Sequence, residues 1–135
     1  MVAKRVTLLS FIAIFVLGSA GGALAFYALN SEQFIFVIGA SGAVSAFTGA
    51  ACRFAFPKYR QFSMNVDDAP LQGIFEIITN RQAVTFISVW LIINFIFGAG
   101  IVPMNGQAQS IAWEAHIGGF LVGLFVFPLL DISNP

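Results

Sequence analysis

The sequence predicts an all-α protein: a polytopic transmembrane helix bundle of four spans. Three observations carry that reading. Hydrophobic residues make up 59% of the 135 positions and charged residues only 9%, too little polar surface to clothe a soluble globule. Four apolar runs are each long enough for a hydrocarbon core, which takes about 20 residues. The basic residues all fall on one side of the resulting threading.

The first span covers about 6–29, behind Lys4-Arg5, and Asn30-Ser31-Glu32-Gln33 is a short polar link. The second covers about 34–56. From Pro57 to Arg81 runs the longest polar-biased connection, in which Leu71 to Thr79 reads as a short interfacial helix. The third span is about 82–102, its helix broken by Gly98-Ala99-Gly100 and then by Pro103, Asn105 and Gly106. The fourth is about 111–130. There is no internal repeat, and the single domain 1–135 leaves no room for a soluble one. The first apolar run is too long for the core of a cleavable signal peptide.

Four spans put both termini and the connection 57–81 on one side. Lys4, Arg5, Lys58, Arg60 and Arg81 flank spans there, and Arg53 lies near the same end of its helix; these are all six basic residues. The opposite loops, around Glu32 and Asn105, carry none. By the positive-inside rule the termini are cytoplasmic, and a multi-pass protein of a bacterial inner membrane is expected. Net charge is zero, with no basic patch for nucleic acid. Cys52, the one cysteine, reads as a buried inert thiol. No cofactor and no metal is expected.

Two polar residues inside the spans are the candidate site. Ser41 stands in Gly39-Ala40-Ser41-Gly42, and His116, the only histidine, in Glu114-Ala115-His116-Ile117-Gly118-Gly119. Each alone has a plain structural reading, because a hydroxyl can bond back to its own helix and an imidazole can bond a neighbour. Together they say more. The second and fourth spans descend from the same face, which puts Ser41 roughly 10 Å and His116 roughly 8 Å below it at 1.5 Å per residue. Gly42, Ala46 and Gly49 form a small-residue stripe on one span, and Gly119 and Gly123 form another on His116's face of the other. Such stripes let helix backbones approach closely.

A serine hydroxyl is a poor nucleophile until a base lies within hydrogen-bond reach, and histidine suits that task near neutral pH. If a helix begins near Ser41, its unpaired N–H groups can face a developing oxyanion. Glu114 is two residues from His116 and faces elsewhere, so the reading is a Ser41–His116 dyad without an acidic third member. Asn94, inside the third span, is expected to make an interhelical hydrogen bond, with substrate contact as the alternative. Trp113, Tyr27 and Tyr59 read as interfacial anchors, and Gly18, Gly21 and Gly22 as packing glycines.

Gly39-Ala40-Ser41-Gly42 resembles the G-x-S-G nucleophile motif of the rhomboid intramembrane serine proteases. Ala115-His116-Ile117-Gly118-Gly119, followed by Gly123, resembles the A-H-x-x-G motif of that family's last core helix. The resemblance covers essentially the whole chain as the last four helices of a six-helix core, lacking the first two. It implies cleavage of transmembrane protein substrates near the outer face of the bilayer, with Ser41 as nucleophile and His116 as general base. It also implies that two further helices, carrying a histidine and an asparagine for the oxyanion site, are missing here. Met1 is then a misplaced start or the chain a fragment. The loop 98–106 is expected to gate access or simply to connect. The alternatives are a non-catalytic rhomboid-like binding protein and a helical membrane scaffold.

Overall fold

The computed structural model describes residues 1–31, 40–57, 65–98 and 112–132. Gly39, Lys58, Tyr59, Arg60, the first residues of the expected second span and the loop 99–111 lie outside the described residues. Among the described residues the structure is helical without strands. The elements are α1 (Val2–Arg5), α2 (Leu8–Leu29), α3 (Ser41–Ala51), a 3-10 turn (Val66–Asp68), α4 (Ile74–Thr79), α5 (Arg81–Gly98) and α6 (Trp113–Leu130).

Among the described residues three helices, α2, α5 and α6, are long and apolar enough to cross a membrane. α2 starts where Thr7 caps it, its hydroxyl accepting from the Ser10 N–H at 3.1 Å. Asn80 does the same for α5, its Oδ1 accepting from the N–H groups of Gln82 at 3.0 Å and Ala83 at 3.4 Å. The fourth expected span is α6, within two residues at its start. α3 departs from expectation, because its described helix has 11 residues, about 16 Å of rise, against the 34–56 expected from apolarity. Its end has a local cause. The N–H groups of Arg53 and Phe54 turn to Ala50 O and Ala51 O, both at 3.1 Å, so the backbone tightens to i→i+3 bonding before Pro57. Arg53 O is then taken by the Gln72 N–H at 2.7 Å. α4 falls within the stretch Leu71–Thr79 that is expected to be a short helix, with Phe75 and Ile78 exposed.

The core is a junction of α2, α3 and α6 in which backbones touch. A Cβ at Gly119 would run into the Gly42 backbone, one at Gly123 into the Ala46 backbone, and one at Gly49 into Phe120 O. The two stripes of small residues on α3 and α6 therefore face each other along parallel helices. α2 runs antiparallel to both. A Cβ on Gly18 would strike Ala46 Cβ, and one on Gly22 would lie 2.6 Å from Ala115 O and 3.3 Å from Gly42 Cα. The Gly21–Gly118 contact is equally tight, so all three glycines of the first span pack.

α5 joins differently, by side chains against α6. Trp90 stacks on Phe120 with centroids 4.8 Å apart, and Phe95 meets Trp113 edge-on at 5.9 Å. Trp113, expected as an interfacial anchor, is thus a helix–helix contact that also covers Gly98. Cys52 is buried beside Ile77, Ala83, Phe120 and Leu124.

The start of the chain, the end of α6 and the 65–69 segment meet at one end. Arg5 there is more than a flanking charge, because it is only 1% exposed. Its Nη2 and Nε donate to Asp131 at 2.7 and 3.4 Å, its Nη1 donates to Ala69 O at 2.6 Å, and its plane lies 4.4 Å above the Phe54 ring. A buried guanidinium persists only with partners of this kind.

Candidate active site

Ser41 opens α3, and the first hydrogen bond of that helix runs from the Val44 N–H to Ala40 O at 2.9 Å. The first N–H groups of the helix thus have no partner within it, as at any helix start. Ser41 itself is exposed, while Gly42, Ala43, Ser45 and Ala46 behind it are buried. The start of α3 is set back from the end of α2. Gly42 packs on Gly22, which precedes the end of α2 at Leu29 by seven residues, about 10 Å of helix.

His116 is the fourth residue of α6 and half-buried. Its two neighbours on that face, Ala115 and Gly119, bracket Gly42: a Cβ at Gly42 would lie 3.6 Å from Ala115 O, and one at Gly119 would strike Gly42 O. This register puts His116 within about one helical turn of the level of Ser41. The two residues therefore share one end of the glycine junction. No hydrogen bond joins them among the described residues.

The hydrogen bond that the ring does make comes from α5. His116 Nδ1 lies 2.5 Å from Asn94 Oδ1, and Asn94 Nδ2 donates to Trp90 O at 2.7 Å. The expected interhelical bond of Asn94 exists, and its partner is the candidate base. The sequence reading did not pair these residues, although a signal was present. Asn94 comes four residues before the end of α5 and His116 three after the start of α6, so in antiparallel helices they share a depth.

Glu114 is turned away, as its position on the helix requires, and its Oε1 accepts from Asn30 Nδ2 at 3.3 Å. That bond ties the end of α2 to the start of α6. Among the described residues no cluster of His, Cys, Asp and Glu could hold a metal ion.

The arrangement defines a helical membrane protein whose polar groups converge on a junction of small residues. A family model, the Rhomboid domain, matches residues 1–131, and the chain belongs to the rhomboid family. It is accordingly an integral membrane protein, of a family whose members are generally serine proteases acting on transmembrane substrates. Comparisons with curated proteins and with solved structures find no match.

Proposed function

We propose that this chain carries the catalytic dyad of an intramembrane serine endopeptidase, with Ser41 as nucleophile and His116 as general base. The observation that supports it best is the glycine junction. Gly42 lies against both Ala115 and Gly119, so the residues beside them in sequence, Ser41 and His116, occupy one level of adjoining helices. Family membership supplies the reaction class.

In the proposed reaction Ser41 Oγ attacks the scissile carbonyl carbon while its proton passes to His116 Nε2. The oxyanion that forms is stabilised by N–H groups at the start of α3, where the helix dipole also favours negative charge. The C–N bond then breaks, and His116 returns the proton to the departing amine. Water hydrolyses the acyl-serine by the same steps in reverse roles. The substrate is a transmembrane segment of another protein. The short α3 fits this, because it begins about 10 Å short of the end of α2. The protein acts in a bacterial inner membrane with cytoplasmic termini.

The test is cleavage of a model transmembrane substrate by reconstituted protein and by its Ser41→Ala variant. Cleavage that survives in the variant at the original rate would remove Ser41 from the mechanism.

A further inference from the structure

We infer that Asn94 is the positioning residue of His116: its side-chain oxygen accepts the Nδ1 proton and so leaves Nε2 as the basic nitrogen. The inference rests on the proposed role of His116 and adds a third member to the dyad, contributed by α5.

The hydrogen-bond chain leaves one consistent assignment of protons. Trp90 O can only accept, so the group of Asn94 that faces it at 2.7 Å is the NH2. The amide oxygen is then the atom 2.5 Å from His116 Nδ1. An amide oxygen cannot donate, so Nδ1 carries the proton. In a neutral imidazole the other nitrogen then holds the lone pair. Among the described residues Nε2 has no hydrogen-bond partner, which keeps it available to take a proton.

The ring is also held in place, not merely in tautomer. Asn94 is anchored to its own helix through Trp90 O, and Trp90 in turn stacks on Phe120, one turn beyond His116 on α6. Phe95, next to Asn94, closes on Trp113, three residues before His116. The Asn94 oxygen is thus fixed between two aromatic contacts that set the spacing of α5 and α6. In the soluble Ser-His-Asp enzymes a carboxylate receives the Nδ1 proton and orients the ring. Here a neutral amide does so, which costs less to keep at membrane depth than a carboxylate.

His116 being the only histidine allows a direct test. Nitrogen-15 histidine labelling of the chain gives one pair of ring signals, whose shifts report which nitrogen is protonated. The expected result at alkaline pH is a protonated Nδ1 and an unprotonated Nε2. Asn94→Leu should abolish that preference, while Asn94→Asp, which keeps an oxygen acceptor, should retain it. In a cleavage assay Asn94→Leu should lower kcat roughly 10- to 100-fold with KM little changed, by analogy with metal-bound imidazoles that lose the partner orienting them. Asn94→Asp should recover most of that loss. An Nε2-protonated ring in the unmodified chain overturns the inference without recourse to any variant. So does unchanged kcat in a folded Asn94→Leu protein whose Ser41→Ala counterpart is dead. Cleavage that persists in Ser41→Ala instead overturns the dyad itself, and the tautomer measurement then still decides whether Asn94 orients the ring.

Discussion

Arg5 and Asp131 stand 126 positions apart in the sequence and form a two-point ion pair, Nη2 to Oδ2 at 2.7 Å and Nε to Oδ1 at 3.4 Å. Both side chains are essentially shut off from solvent, at 1% and 0% exposure. Arg5→Ala leaves a buried carboxylate without its main counter-charge and should destabilise the fold by about 3–5 kcal/mol. Arg5→Lys should recover only part, since a lysine cannot make the two-point contact or reach Ala69 O with the same fork. Arg5→Met combined with Asp131→Leu should be far less damaging than Arg5→Ala. Thermal unfolding in detergent separates the three, and equal loss in all would show that the charge pairing is immaterial.

Gly123 lies against the Ala46 backbone, where even a methyl group meets main-chain atoms that cannot turn aside. Gly123→Ala should therefore cost about 1–3 kcal/mol and Gly123→Leu more, by overpacking that pushes α3 and α6 apart. Any proteolytic activity should fall with the melting temperature, because the proposed dyad depends on the same junction. A Gly123→Leu protein as stable and as active as the parent would refute the close contact.

Ser41→Ala and His116→Ala should each reduce cleavage by about 10⁴-fold or more, and the double variant should be scarcely worse than either. Alanine at 41 removes the bond-forming oxygen with little change in volume, so membrane insertion should be unaltered. A serine-directed phosphonate should label Ser41 and need His116 to do so. Additive losses in the double variant would indicate two independent roles rather than one unit.

Asp67 receives Lys4 Nζ at 3.0 Å and the amino terminus at 3.2 Å. The hydrogen bond from Lys4 does most to hold its carboxyl below the ordinary range; desolvation opposes it, and the amino terminus adds a smaller lowering effect. A depressed carboxylate contributes its tie fully above the ordinary value, about pH 3.9, and loses it as pH falls through the folded value. Lys4→Ala should move the Asp67 titration upward in a carboxyl carbon NMR measurement. An unmoved midpoint would mean that the pair is not formed in solution.

Much of this was legible in the chain itself, because membrane spans advertise themselves by length and apolarity. The stripes Gly42-Ala46-Gly49 and Gly119-Gly123 could be paired because small residues at helical spacing have one physical use in a bilayer. The length of α3 was not legible, since apolarity runs past Ala51 while the backbone tightens at Arg53, a change that leaves no mark in hydropathy. Nor was the partner of Arg5, which as a flanking cation reads only as a topological signal. The bond between Asn94 and His116 was half legible. A polar residue in each span called for a partner, but choosing between them needed the antiparallel register that Trp90 and Phe120 establish.

The two kinds of helix contact have a mechanical consequence. Where α2, α3 and α6 meet at the glycines, main chain rests largely on main chain, which leaves little room for side-chain rearrangement to absorb a displacement. Where α5 meets α6, rings and one amide intervene, and side chains of that kind shift on far shorter timescales than packed backbones. Stress from a thinner or thicker bilayer is then expected to fall first on the contact of α5 with α6. Asn94 belongs to the helix held by side chains and His116 to the one held by main chain, so the bond between them is where a change in bilayer thickness is expected to reach the imidazole.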